Sequence, residues 1–286
     1  MLVVIGYIIV LASVFGGFVI GGGHLGALFQ PTELLIIGGA GVGSFVVGNN
    51  SKAIKATMKA LPMLFKGSKY TKDLYMELMA LLYVLLAKAR KDGMLAIEGD
   101  VEDPASSPVF SQYPRILGEP RIMEFLTDYL RLMVSGNMNA FEIENLMDHE
   151  IETYRHEGEV PAHCLQKTGD AMPAFGIVAA VMGVVHTMAS ADQPPAVLGA
   201  LIAQALVGTF LGILLAYGFI SPLAQLIEHR INESVKLYEC IKVTLLASLN
   251  GYAPALSIEF GRKVLYSTVR PSFAELEEHV RQVKAR

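Results

Sequence analysis

The feature that most restricts this chain is where charge is missing. The first 51 residues carry one carboxylate, Glu33, and no Lys or Arg before Lys52. A second stretch, 171 to 191, has only His186, and a third, 193 to 227, has no charge at all. A bilayer core about 30 Å thick is crossed by about 20 apolar helical residues. Residues 1 to 20 meet that length, and 33 to 48 meet it marginally. Gly21, Gly22, Gly23 and Pro31 punctuate the gap between them, which predicts a hairpin. Residues 172 to 190 and 199 to 221 form a second pair, parted by Asp192, Pro194 and Pro195. The overall composition, 52% hydrophobic and 17% charged, lies toward the membrane class.

Orientation follows from the basic residues, because flanks rich in Lys and Arg resist translocation. Fourteen fall between Lys52 and Lys167 and nine between Arg230 and Arg286, which accounts for all 23; the short hairpin loops hold none. Both termini are therefore expected in the cytoplasm. No basic segment precedes the first apolar run, so a cleaved signal peptide is not expected. Lys52, Lys55, Lys59, Lys66, Lys69 and Lys72 follow the second span, where they can meet anionic lipid headgroups. Cys164 and Cys240 both fall on the reducing side, and no disulfide is expected.

The polar remainder reads as helical. Leu74, Leu78, Leu81, Leu82, Leu85 and Leu86 repeat at helical spacing, with Gly93 as a stop. A helix from about Pro120 to Val134 stops at Gly136. Asn139 with Glu142, and Ser272 with Glu275, are capping-box patterns for helices of about 140 to 157 and 273 to 284. The fourth span runs on without a breaker to Leu249, ahead of Asn250 and Gly251. The fold class is all-α: a polytopic membrane protein with four transmembrane helices and a helical cytoplasmic domain. The expected division is a hairpin of spans over 1 to 50, a cytoplasmic domain over 51 to 170, spans three and four over 171 to 222, and C-terminal cytoplasmic helices over 223 to 286.

Some strings that suggest chemistry fail on context. Gly21, Gly23 and Gly26 match a dinucleotide fingerprint but join two membrane helices instead of following a strand. His149, His156 and His163 recur beside Cys164, yet Gly158 and Pro161 are expected to interrupt that face, which favours surface histidines over a metal site. No hydrolase, Walker or zinc-protease string is present, and nothing argues for an enzyme, a cofactor or a nucleic-acid partner.

The spans carry small residues four apart: Gly208, Gly212 and Ala216 on the fourth, Gly39 and Gly43 on the second, Ala12 and Gly16 on the first. Such faces let helix backbones approach, and they favour oligomerisation over a monomeric bundle. Pro173 and Pro222 sit where the third span begins and the fourth ends. Each lacks the N–H that would bond four residues back, freeing the carbonyls of Gly169 and Gly218. At matched depth they read as a paired hinge. No Asp, Glu, Lys or Arg is expected inside a span, where the polar groups are Ser13, Ser44, His186, Thr187 and Thr209. Ion carriers mark their path with an intramembrane ionisable group, so a partner would have to supply one.

Four runs carry a likeness: Gly6-Tyr7 with Gly16-Gly17; 173 to 183 (PAFGIVAAVMG); 207 to 218 (VGTFLGILLAYG); and 250 to 254 (NGYAP). Together they closely resemble the MotA family of bacterial flagellar motor stator proteins, across essentially the whole chain. The resemblance implies an inner-membrane subunit forming a homo-oligomeric ring, a pentamer, around a pair of MotB chains that supply the ion-binding aspartate. It also implies proton flow converted into torque on the rotor protein FliG. By the same likeness Arg90 and Glu98 meet FliG, Pro173 and Pro222 couple ion passage to movement, and Ala180 and Thr209 line the ion path. Read without it, Arg90 is a cation near a helix C-terminus and Glu98 a solvated acid. Sodium-driven relatives tend to carry a threonine at the position matching Ala180, so the expected ion is the proton. The alternatives are a TolQ or ExbB energiser, which has three spans and an outside N-terminus, and a membrane scaffold without ion coupling.

Overall fold

The computed structural model describes residues 2–284. In chain order the α-helices are α1 (Leu2–Ile20), α2 (Leu25–Leu28), α3 (Pro31–Gly48), α4 (Ser51–Leu64), α5 (Lys72–Asp92), α6 (Glu98–Glu102), α7 (Pro114–Leu117), α8 (Pro120–Ser135), α9 (Ala140–Met188), α10 (Pro195–Ile213), α11 (Ser221–Leu249), α12 (Pro254–Val264) and α13 (Phe273–Lys284). Short 3₁₀ turns occupy Met94–Ile97 and Phe110–Gln112, and a π-helical segment, Leu214–Ile220, joins α10 to α11. No strand occurs among the described residues. Four helical stretches are long and apolar enough to cross a membrane: Leu2–Ile20, Leu25–Gly48, Ala140–Met188 and Pro195–Leu249.

The helices begin and end where local chemistry requires. Thr71 Oγ1 accepts from the Leu74 N–H to open α5, and Gly93, at φ 91°, closes it. Asn139 and Glu142 exchange hydrogen bonds at 3.0 and 2.9 Å ahead of α9, and Ser272 and Glu275 do the same for α13 at 3.2 and 2.7 Å. Gly136 takes the left-handed conformation that ends α8. One expectation is corrected: Gly158 and Pro161 do not interrupt the helix, since α9 is continuous for 49 residues. No expectation singled out α2, α4, α6, α7 or α12; Asn50 caps α4 by accepting from the Ala53 N–H at 2.8 Å.

The chain forms two units. One comprises Met1–Gly67 and Gly158–His229, the other Ser68–Glu157 and Arg230–Arg286. The first has a small core of Ile37, Met172, Ala179 and Ala216. Its outward helix faces are bare and apolar, including Ile8, Ile9, Val47 and Val185. Exposed apolar faces of that extent need lipid or another protein against them. The second unit is packed like a soluble domain. Leu78, Leu81, Leu82 and Leu85 of α5 are fully buried among Phe125, Leu126 and Leu130 of α8 and Leu237, Cys240 and Ile241 of α11. Each such side chain stabilises by about 1.5–3 kcal/mol relative to exposure. Burial pushes the Cys240 thiol up to about 12.

Candidate functional site

Within the first unit, the membrane part of α9 meets α10 and the π segment along a seam of small residues. A methyl group on Gly176 would stand 2.7 Å from the Gly208 carbonyl oxygen and 3.3 Å from the Thr209 Cα. One on Gly212 would stand 2.6 Å from the Met172 carbonyl oxygen, and one on Gly183 2.7 Å from the Ala205 Cβ. Only glycine allows this approach, and in lipid such packing supplies the association that the hydrophobic effect does not. Gly208 and Gly212 are therefore spent inside the chain, while Gly16, Gly39 and Gly43 have open space around them.

The expected path residues lie on this seam. A methyl on Gly208 would come within 3.1 Å of the Ala179 Cβ and 3.2 Å of the Ala180 N, which sets Ala180 opposite the residue before Thr209. Ala180 and Thr209 are both half-buried in the single chain.

The two proline regions also touch. A methyl on Gly169, the residue whose carbonyl Pro173 leaves free, would stand 2.9 Å from Ser221 Oγ and 3.3 Å from Ile220 Cγ2, just ahead of Pro222. Pro173 sits inside α9 without ending it. Ahead of Pro222 the helix changes register, and the Ser221 N–H bonds the Ala216 carbonyl, five residues back. The Tyr7 hydroxyl donates to the Phe219 carbonyl at 3.0 Å, which satisfies one carbonyl of the altered turn from α1, and the two rings lie 4.8 Å apart at a 35° tilt. Ser221 Oγ is buried without a partner among the described residues.

The expectation that no acid lies within a span is corrected. α3 begins at Pro31, so Glu33 lies inside it, and it is only 8% exposed. Its Oε2 would be 2.7 Å from a methyl on Gly208, and that oxygen has no hydrogen-bond partner among the described residues. The sequence places Glu33 at the margin of the second span, where it reads as a flank; the fold of the loop around α2 carries it inward.

In the second unit, Arg90 and Glu98 flank the Gly93 turn, and both are exposed. Neither forms an ion pair among the described residues, but the Arg90 Nη1 donates to the Gly251 carbonyl at 3.4 Å, which ties α5 to the turn after α11. The segment bearing Glu98 is held from beneath: buried Asp100 accepts from Lys88 Nζ at 2.7 Å and from Ser107 Oγ at 2.6 Å. A half-exposed Lys88 over a buried Asp100 makes a charge-assisted bond stronger than a surface pair. No cluster of His, Cys, Asp and Glu suited to a metal occurs among the described residues. His156 and His163 lie one turn from Glu152 and Glu159.

Comparison with known proteins agrees with this architecture. Residues 4–93 match the family model described as Motility protein A N-terminal, and residues 120–240 match that of the MotA/TolQ/ExbB proton channel family. Motility protein A of Salmonella typhimurium is 64% identical over 99% of this chain and 96% of its own length; that of Escherichia coli is 63% identical over the same shares. The Bacillus subtilis flagellar MotAB stator complex superposes with a TM-score of 0.75 at 28% identity, covering 96% of this chain and 98% of that one. The C. jejuni MotAB structure shares the fold with a TM-score of 0.76 at 22% identity, covering 93% and 95%. With both family models matched and near full-length identity above 60%, the chain belongs to the motility protein A family, the MotA branch of the MotA/TolQ/ExbB proton channels.

Proposed function

We propose that this chain, a flagellar stator subunit, works in the bacterial inner membrane with both termini in the cytoplasm. In this reading five copies form a ring around two MotB chains, and the assembly drives FliG with the energy of proton flow. The observation that carries the proposal is the seam itself, where glycines bring α9 and α10 close at Ala180 and Thr209 and the two proline regions meet beneath it. A MotB aspartate binding and releasing protons there would change its interaction with the lining and favour another ring position. α9 and α11 both run on from the proline regions into the second unit, so movement at Pro173 and Pro222 has a continuous helical route onward. Exposed Arg90 and Glu98 then act on FliG. Charge complementarity gives register and fast encounter more than tight holding, which suits a contact made and broken repeatedly. Lys52, Lys55 and Lys59 line one exposed side of α4, suited to anionic headgroups.

The proton is favoured because sodium needs several oxygen ligands at once, and Ala180 adds no hydroxyl to that of Thr209. The N-terminal match from residue 4 favours the motor over a TolQ or ExbB energiser. The test is a strain lacking its own stator, complemented by this chain with a cognate MotB. Restored swimming whose speed is indifferent to external sodium is expected. Stable assembly without motility would point to a scaffold, and speed that vanishes with sodium would overturn the proton assignment.

A further inference from the structure

We propose that Glu33 is a proton-binding site of this chain, at the α9–α10 seam, that takes protons from water and passes them toward the acidic side chain of the partner helix. This rests on the stator reading.

The placement is the first argument. Gly208 lies nine residues into the fourth span from residue 199, about 14 Å at the helical rise, so the Glu33 carboxyl sits within a hydrocarbon layer about 30 Å thick. It occupies a niche that exists because Gly208 has no side chain, and the same glycine faces Ala179 and Ala180.

The second argument is the missing partner. Oε2 is sealed from solvent with no donor to meet it among the described residues. The helices packed around it hold no cation. α10 has no titratable residue, α3 has none besides Glu33, and α1 has only Tyr7, engaged with the Phe219 carbonyl. α2 follows His24, and the membrane part of α9 has only His186, which is exposed. A charge there has no counter-ion and is costly, and intramembrane acids that persist under such conditions mark proton routes. A purely structural role, such as an acid in the first turn of α3 favouring the helix dipole, would be served at the helix surface without burial.

The chemistry balances as two proton transfers. A hydronium O–H breaks and an O–H forms on the Glu33 carboxylate, leaving water. That O–H then breaks as one forms on the partner's carboxylate, and Glu33 returns to its charged form. No electrons move.

The experiment uses the whole chain with its cognate partner in a strain lacking its own stator. Wild type, Glu33→Gln and Glu33→Asp are compared for partner co-purification and for bead rotation across a range of external pH. Glu33→Gln, which keeps the shape and removes the titrating group, is expected to assemble normally and rotate several-fold slower, most of all at alkaline pH where hydronium is scarce. Glu33→Asp is expected to rotate with a shifted pH profile. Rotation of Glu33→Gln equal to wild type at every pH overturns the proposal. If Glu33→Gln fails to assemble, Glu33→Asp decides: a wild-type pH profile overturns the proposal and a shifted one supports it. Failure of the wild-type chain to restore rotation overturns the stator reading, and with it this inference.

Discussion

Gly212→Ala isolates the contribution of the seam. The added methyl would stand 2.6 Å from the Met172 carbonyl oxygen, 2.9 Å from the Gly176 Cα and 3.2 Å from the Gly176 N. All three are backbone atoms, so no side chain can swing aside and the helices must part. Restoring ordinary contact of about 3.4 Å from 2.6 Å asks for about 0.8 Å of separation. A gap of that size forfeits roughly a quarter to a half of each dispersion well beside it, and overpacking of this kind costs about 1–3 kcal/mol. Alanine also favours helix by up to about 1 kcal/mol over glycine, which offsets part of the loss. Gly199→Ala is the matched control, since nothing lies within 4 Å of a methyl there and only the helical gain applies. The difference between the two variants is therefore expected near 2 kcal/mol, or about 4–8 °C in the unfolding midpoint. Thermal unfolding of the purified complex with its MotB partner in detergent measures it. Coincident melting of the two variants would refute the seam as a close backbone contact.

Pro173→Ala and Pro222→Ala are expected to leave membrane levels intact and impair swimming; immunoblotting with motility assays checks this, and normal swimming of both variants would sink the hinge. Glu98→Lys is expected to lower torque, with partial rescue by an opposite reversal on FliG, read as bead speed under load. Arg90→Glu should cost more than Glu98→Lys, because it also removes the donor to the Gly251 carbonyl. Lys72, bonded to Glu275, holds that carboxyl down at about 2 against an ordinary 4.5. Because the folded value is depressed, the stabilisation is present above about 4.5 and lost as pH falls toward 2. The release of α13, followed by pepsin cleavage at graded acid pH, should depend on this titration in wild type and not in Glu275→Gln.

Much of this protein was legible because its signals are local. Charge deserts located the spans, and caps at Thr71, Asn139 and Ser272 with stops at Gly93, Gly136 and Gly251 set helix ends. Pro161 was harder to read, because a helix rich in neighbours can carry a proline through without ending, as α9 does. Glu33 lay beyond reading for another reason: whether an acid at the edge of an apolar run faces water or enters the bundle depends on how the hairpin folds back over α10. Likewise, spacing identified Gly208 and Gly212 as contact residues but could not say that α9 of the same chain would use them. The tie between Arg90 and Gly251 spans 161 residues, and no local pattern announces it.

The π segment has a consequence for how residues along the fourth span share a face. Buried positions advance from Ala205 to Gly208, Gly212 and Ala216 by strides of three or four, then jump five to Ser221 before resuming at Ala224 and Ile227 by threes. The jump coincides with the Ser221 to Ala216 hydrogen bond, so the helix carries one spare residue there. A helical wheel drawn without interruption through 195 to 229 goes out of phase at that point, and it would assign the inner residues beyond Ile220 to the wrong side. Losing the spare residue would turn everything after it by one position, exchanging the sealed stripe of Ser221, Ala224 and Ile227 for its neighbours while leaving the seam above unmoved.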